Sequence, residues 1–250
     1  MTKSAPVQGL TFSEKSHRYK LDGKPVPGVT TLIGKGYPKP GLPYWAAKVV
    51  AEYVEANFDQ VRADYSSQKK YEFIQNLKSK PWEKRDEAAV RGTEVHALAE
   101  RVAHGEEVEV PEDLAPYVQG YAQWLDDNNV VPLLTEARVA NRSLWYAGTT
   151  DLIATVKGKP MLLDLKTSNA IHGNYALQCA AYAHAEFYLD EDNAEQPLPL
   201  VEGIGCVHVT AEGSYLVEFP EPETAWTLFT HIAYVAKYTT TIDSWGEDKK

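Results

Sequence analysis

Two apolar, strand-like segments joined by a short turn constrain the fold of this 250-residue chain more than any other feature. Their pattern predicts strands at Leu144–Val156 and Met161–Thr167, with Lys157-Gly158 as a two-residue hairpin turn between them. In that register Asp151 lies directly opposite Asp164, with the Cβ atoms about 5 Å apart. A four-residue loop would keep the two carboxylates on one face, whereas a three-residue loop without a bulge would separate them.

The chemistry of this hairpin follows from its charges. Two facing carboxylates repel each other unless a cation or a shared proton relieves them. Lys166 lies two residues beyond Asp164 and shares its face by strand periodicity. Oxygen ligands suit Mg²⁺ or Mn²⁺, and a nearby lysine suits metal-assisted hydrolysis of a phosphodiester. The alternative is a surface hairpin with harmless ion pairs, but the apolar run before Asp164 predicts that it is buried, and a buried carboxylate needs a reason.

Two pairs of polar residues at helical spacing are weaker indications of a functional site. His96 and Glu100 lie one turn apart on a predicted helix, Trp82–His104, and the imidazole could complete a ligand set with the two aspartates. A core or boundary histidine is the structural alternative. Gln178 and Tyr182 share a face of the next helix and could hold a phosphate or a base by hydrogen bonds, or could belong to an ordinary amphipathic helix.

The remaining pattern predicts the fold class. The expected order from residue 82 is helix, helix, three strands, helix, two strands and a last helix, which indicates an α/β or α+β fold with a mixed sheet flanked by helices. The further segments are a hairpin through Asp22-Gly23, helices at Pro43–Asn57, Ser66–Leu77 and Tyr175–Leu189, strands at Leu133–Val139, Leu200–Thr210 and Tyr215–Phe219, and a last helix at Glu223–Lys237. We therefore predict an N-terminal, mostly helical extension (residues 1–81) and a core (residues 82–250).

Composition narrows the class of protein. The net charge is −10, yet residues 1–50 carry 8 basic and 2 acidic side chains, so a polyanion could dock there despite the overall acidity. Two cysteines cannot build a four-cysteine iron–sulfur cluster. No apolar run reaches the roughly 20 residues of a membrane helix, and the first residues lack the apolar stretch of a signal peptide. The expectation is a cytoplasmic protein that does not bind a membrane.

The motifs, taken in order, carry a family resemblance. The chain contains G-T-x-x-H-x-x-x-E from Gly92, G-T-T-D ending at Asp151, D-L-K-T-S from Asp164 and Q-x-x-x-Y from Gln178. This order resembles the PD-(D/E)XK nuclease superfamily, and within it the RecB-like exonuclease branch. The first segment, with Val29-Thr30-Thr31-Leu32, is similar to bacteriophage-encoded members. Each motif is common by itself, and the order makes the signal specific.

The resemblance implies a restriction-endonuclease-like core and a set of roles. It makes His96, Asp151, Asp164 and the backbone carbonyl of Leu165 ligands of Mg²⁺ or Mn²⁺, with Lys166 as the catalytic lysine beside the two aspartates. It makes Gln178 and Tyr182 contacts to DNA. Glu136 matches an acidic position on the first strand, and Glu136 and Glu100 are further candidates. Many relatives hold an iron–sulfur cluster, which this chain lacks the cysteines to bind.

The expected activity is that of a metal-dependent DNA exonuclease in phage replication or recombination, in the cytoplasm of a bacterial host. The substrate would be double-stranded ends or single strands, and a recombination or annealing protein is a candidate partner. The alternatives are a structure-selective or nonspecific endonuclease, a catalytically idle DNA-binding module, and a small-molecule enzyme that uses a carboxylate pair. The basic opening segment predicts DNA contacts at Lys35, Lys39 and Lys48, interleaved with aromatic side chains for stacking.

Overall fold

The computed structural model of the chain describes residues 9–246, and these divide into two compact units. The residues up to Tyr37 and those from Val95 onward form the first unit, and Pro38–Glu94 forms the second. Residues 1–8 of the predicted extension and residues 247–250 of the predicted core lie outside the described residues. The predicted division between residues 81 and 82 falls inside a long helix, and residues 9–37 group with the core unit.

The elements have the following bounds in chain order. The strands are β1 (Leu10–Ser13), β2 (Arg18–Leu21), β3 (Lys24–Val26), β4 (Val131–Asn141), β5 (Tyr146–Val156), β6 (Lys159–Lys166), β7 (Phe187–Leu189), β8 (Glu195–Gln196), β9 (Gly203–Thr210) and β10 (Gly213–Phe219). The helices are α1 (Val29–Gly36), α2 (Gly41–Ala56), α3 (Phe58–Ser67), α4 (Lys70–Ala103), α5 (Ala115–Asp127), α6 (Asn174–Ala183) and α7 (Pro222–Asp243), followed by a 3-10 turn (Ser244–Gly246). No helix among these is both long and apolar enough to cross a membrane.

The first unit is built on a seven-stranded mixed sheet in the order β10-β9-β6-β5-β4-β7-β8. Its pairs are antiparallel except β6 and β9, which are parallel. Alternate strand residues feed two cores: Ile153 and Leu162 pack with α1, α6 and α7, whereas Leu152 and Leu163 pack with α5 and the end of α4. The predicted mixed sheet flanked by helices is confirmed. A three-stranded sheet, β1-β2-β3, completes the unit.

The central hairpin forms in the predicted register. Its pairs run from Val156↔Lys159 to Leu152↔Leu163. Lys157 and Gly158 both have positive φ, 50° and 85°, as a two-residue type I′ turn requires. This turn matches the right-handed twist of the strands. Because the turn uses both residues between the strands, the pairing of β5 with β6 cannot shift by one residue. The hairpin at Asp22-Gly23 is also confirmed, with Leu21 opposite Lys24.

Two helix predictions were wrong. The helix predicted at Ser66–Leu77 does not form as such: α3 ends at Ser67, and α4 runs without a break from Lys70 to Ala103 with Pro81 inside it. The helix predicted at Tyr175–Leu189 ends at Ala183, and Phe187–Leu189 is instead the strand β7, which pairs with β4. Strand β4 pairs with β5 along one edge, and its other edge offers backbone hydrogen bonds to Phe187–Leu189. The apolar spacing of residues 175–189 is helical and does not indicate this long-range pairing.

The second unit consists of α2, α3 and the part of α4 up to Glu94. Its apolar burial is sparse, and Val49 is the one buried hydrophobic side chain of α2. Glu52 lies near two lysines, with Nζ–O distances of 3.5 Å to Lys48 and 3.6 Å to Lys84. Lys80 lies over the ring of Tyr53, 4.7 Å from its centroid. The exposed ion pairs of Glu52 with the two lysines contribute little to stability, about 0–1 kcal/mol each.

Candidate metal centre

Three acidic side chains lie at neighbouring register positions on the three central strands of the sheet. The flanking β4–β5 pairs place Glu136 opposite Asp151, and the β5–β6 register places Asp151 opposite Asp164. The β5–β6 pairing ends at Leu152↔Leu163, one position before the two aspartates. Like charges at adjacent strand positions destabilise a sheet, so this row requires compensating partners.

His96, Glu136 and Asp151 form a compact group of donor atoms. One imidazole nitrogen and one oxygen from each carboxylate lie within 4.8 Å of one another. The Nδ1 atom of His96 lies 3.6 Å from Oδ2 of Asp151. A small cavity opens onto this group, and its lining consists of His96, Glu100, Ala103, Tyr121, Thr135, Glu136, Asp151, Leu152 and Leu165. Helix α4 thus brings its histidine to the acidic row of the sheet.

The backbone and charge of Glu136 are both unusual. Its φ of 45° lies in the left-handed region, which costs a non-glycine residue about 1–3 kcal/mol and re-aims the side chain relative to strand alternation. Burial, and then the neighbouring Asp151, raise the pKa of Glu136 to about 8. The preceding residue, Thr135, is held by His104, whose Nε2 lies 2.6 Å from the threonine hydroxyl. A bound cation would favour the ionised form of Glu136.

The Asp164 carboxylate is held by three side chains inside the protein. It is 1% exposed, forms an ion pair with Lys166, and accepts a 2.8 Å hydrogen bond from Nε2 of Gln178. The thiol of Cys206 lies 3.9 Å from its other oxygen. Burial and then Asp151 raise the pKa of Asp164, against the effect of Lys166. Desolvation lowers the pKa of Lys166, but the carboxylates of Asp164 and Asp151 raise it overall, so the ammonium group stays charged. The buried position predicted for Asp164 is confirmed.

Asp151 is fixed by the strand next to it. Beyond the last β5–β6 pair, the backbone N–H of Leu165 donates a 2.7 Å hydrogen bond to Oδ2 of Asp151. The carboxylate therefore replaces the backbone acceptor that a continued ladder would supply. Leu165 lines the cavity, as does Asp151. The role of the Leu165 backbone carbonyl as a metal ligand remains a prediction.

Gln178 and Tyr182 have an observed role different from the one expected of them. The amide nitrogen of Gln178 donates to Asp164 and lies 3.3 Å from the hydroxyl of Tyr182. Tyr182 is 3% exposed and packs so closely on Gly148 that a Cβ atom at residue 148 would overlap its ring. The pair thus orients a site carboxylate from within the core. Contact of either residue with DNA remains a prediction.

The other predicted residues are not among the three clustered donors. Glu100 lines the cavity but is not among the three clustered donors. Lys35 lies in the last turn of α1 in the first unit, whereas Lys39 and Lys48 belong to the second unit, and all three are exposed. Contact of these lysines with DNA remains a prediction.

The sequence patterns did not indicate two supporting residues, Cys206 and His208. Cys206 meets Asp164 because β6 and β9 pair in parallel with these two residues in register. The ring of His208 links Ser168 and Tyr215, through a 2.5 Å contact to the Ser168 carbonyl oxygen and a 2.7 Å contact to the tyrosine hydroxyl. These two contacts fix the position of the segment that follows Lys166. The sequence offered one indication, a polar residue, His208, within an apolar strand, but the partners of that residue depend on long-range pairing.

The donor atoms of this group are of the types that bind metal ions. Two carboxylates and one imidazole, His96, Glu136 and Asp151, could together hold a metal ion. The chain has only two cysteines, too few for a four-cysteine cluster, and both are buried, Cys206 beside Asp164.

Comparison with known proteins adds little to this geometry. No family model and no curated protein matches the chain. A crystal structure of a protein designated SSO0001 is similar, with 18% sequence identity and a TM-score of 0.30. The match covers 51% of this chain and 58% of the other, so the chain spans little more than half the length of that protein. A similarity this weak identifies neither a family nor an activity.

Proposed function

We propose that the protein is a divalent-metal-dependent DNA exonuclease of the PD-(D/E)XK type. The observation that carries the proposal is the convergence of His96, Glu136 and Asp151 beside a buried Asp164–Lys166 pair. These residues come from α4 and three adjacent strands. A structural ion pair alone would not require the histidine and the left-handed glutamate at the same place.

In this proposal His96, Glu136 and Asp151 hold Mg²⁺ or Mn²⁺, with Asp164 and the carbonyl of Leu165 as further ligands. When bound, such an ion stabilises charge on a phosphate oxygen and lowers the pKa of a water. The hydrolysis forms a bond from the water oxygen to phosphorus and breaks one phosphorus–oxygen bond of the backbone. The proton of the water is lost to solvent or to the leaving oxygen.

The roles of the other residues follow from their contacts. Lys166 keeps a proton at Nζ, and its positive charge stabilises the negative charge that builds on the phosphate in the transition state. Gln178 orients Asp164 through the hydrogen bond to Oδ1, and Leu165 orients Asp151 through its backbone N–H. Prior orientation of this kind lowers the barrier because little rearrangement is needed at the moment of reaction.

The proposed setting is phage DNA replication or recombination in the bacterial cytoplasm. DNA ends or single strands would be the substrate, and a recombination or annealing protein could act beside the enzyme. An endonuclease with the same centre is the second candidate, because the residues of the site do not depend on whether the strand has an end. An idle DNA-binding module is less favoured, since Asp151, Asp164 and Lys166 are all present.

Linear and covalently closed circular DNA, each single- and double-stranded, test the proposal when incubated with Mg²⁺ or Mn²⁺, and with EDTA as the metal-free control. We expect degradation of linear DNA alone, and only with metal. Asp164→Asn should abolish cleavage because it removes a charge from the site, and Asp113→Asn, at an exposed aspartate, should not. Cleavage of circular DNA would favour the endonuclease. If no substrate is cleaved, the idle DNA-binding module is favoured. An Asp164→Asn variant that still cleaves DNA would refute the proposed site.

A further inference from the structure

Helix α7 carries apolar side chains on the side that faces away from the core. Its buried side consists of Ala225, Phe229, Ala233 and Ala236. On the other side Leu228, Val235 and Ile242 are 51%, 51% and 52% exposed. Tyr234 and Tyr238 are 66% and 47% exposed, and Trp245, in the 3-10 turn that follows, is 78% exposed. We call the exposed set the α7 stripe.

Part of the α7 stripe has the spacing of a helix-pairing seam. Leu228, Val235 and Ile242 recur every seven residues, as the a positions of a heptad repeat do. Tyr238 of the stripe, and the exposed His231 that lies beside it, occupy the d positions between them. This segment is too short for a coiled coil formed by free helices. Here the packing of Phe229 and its neighbours on the core already holds α7 as a helix, so a partner would not have to supply the cost of helix formation.

The charges on α7 select the kind of partner. From Thr224 to Ile242 the only charged residue is Lys237, although the chain has a net charge of −10. A nucleic acid or an anionic lipid surface would require a cluster of basic residues, which the stripe lacks. An uncharged seam is compatible with a second acidic copy, because it is a surface where two such chains meet without acidic side chains in contact.

The exposed area is sufficient for a weak pair. With about 200 Å² for a large aromatic side chain and about 100 Å² for an aliphatic one, the stripe offers about 550 Å² per copy. Two copies would bury about 1,100 Å², just above the roughly 1,000 Å² expected of a specific interface. A two-fold pair is self-complementary, so one stripe supplies both surfaces.

We propose that the α7 stripe is a self-association surface, through which two copies of this chain pair helix against helix. This inference is independent of the proposed nuclease activity. It explains the combination of features on this helix: a long apolar seam at heptad spacing, no acidic side chain within it, and a helix that its opposite face already stabilises.

Sedimentation and light scattering of the full chain test the proposal. We expect a species of twice the monomer mass at about 10–100 µM chain, the weak range suited to an interface of this size. Val235→Glu and Ile242→Glu should each give monomers, because each places a charge in the seam. Leu200→Glu is the matched control: it changes an 86% exposed leucine outside α7 and should leave the dimer intact.

Far-UV circular dichroism and thermal melting of each variant show whether the fold is kept, since Val235 and Ile242 are exposed in the single chain. A folded Val235→Glu monomer beside a dimeric Leu200→Glu supports the proposal. A wild-type chain that is monomeric throughout this range overturns it, and leaves a helix of another protein as the occupant of the stripe. A dimer that persists in both α7 variants overturns it as well.

Discussion

At the scale of single residues, the central question is how a protein keeps a carboxylate buried beside two others. Asp164 is fully enclosed and meets Lys166, Gln178 and Cys206. Each of these contacts offers a positive charge or a hydrogen-bond donor, and together they offset part of the cost of burial. Asp151 and Glu136 line the cavity instead, and the ion pair of Lys166 is with Asp164. Lys166 therefore compensates the charge of the buried carboxylate, Asp164, beside the two carboxylates that line the cavity.

Lys166→Ala should lower the turnover of DNA cleavage by about 10²–10³-fold, because it removes a charge that acts on the transition state. DNA binding measured in Ca²⁺ should change little. The control is Lys159→Ala, at the other end of the same strand, where the lysine pairs with Glu218. Thermal melting is measured alongside, since the substitution leaves Asp164 without its ion pair. A large loss of binding with normal turnover would instead make Lys166 a phosphate clamp.

At the scale of elements, the packing of α1 on α7 secures one face of the sheet. Val29, Leu32 and Ile33 of α1 belong to the same core as Phe229 and Ala233 of α7. Gly36 lies at the closest approach, where a Cβ atom would overlap the carbonyl oxygen of Ile232. Gly34, two residues earlier on the same helix, has no atom within 4 Å of a Cβ position.

Gly36→Ala should lower the free energy of unfolding by about 1–3 kcal/mol, because the added methyl group must push α1 away from α7. Gly34→Ala should raise it by about 0.5–1 kcal/mol, since alanine restricts the unfolded chain and favours the helix. Urea denaturation of the two variants and the wild type measures both effects. Equal stability of the two alanine variants would show that the helices do not approach each other as described.

At the scale of the whole molecule, charge is distributed unevenly along an acidic chain. Residues 1–50 carry 8 of the 25 basic side chains, and residues 186–250 carry 13 of the 35 acidic ones. Tyr37, Tyr44 and Trp45, at 40%, 80% and 37% exposure, are accessible for stacking on unpaired bases. A DNA strand would be attracted to the first segment and repelled by the last.

Neutralising Lys35, Lys39 and Lys48 together to glutamine should weaken DNA binding and reduce its salt dependence by up to about three phosphate contacts. The matched control changes Lys69, Lys70 and Lys78, three exposed lysines outside this segment, and so removes the same charge. Binding is measured by fluorescence anisotropy in Ca²⁺ over a range of salt concentrations. An unchanged slope in the first variant, or an equal change in the control, would refute a role specific to the opening segment.

The sequence by itself determined the parts of the protein that depend on local geometry. A two-residue turn at Lys157-Gly158 sets the hairpin register, and strand periodicity then places Asp151 opposite Asp164 with Lys166 two residues further on. The apolar residues before Asp164 also predicted its burial correctly. These inferences hold because a turn and a period of two residues act over a few bonds, whatever the rest of the chain does.

Only the tertiary structure decided which donors meet. Glu136 joins His96 and Asp151 through β4–β5 pairing and a left-handed backbone, and neither follows from strand alternation. Gln178 donates a hydrogen bond to Asp164, and Phe187–Leu189 forms a strand that pairs with β4 instead of continuing the predicted helix. These outcomes depend on partners far away in the sequence, whose unsatisfied hydrogen bonds and buried charges outweigh local propensity.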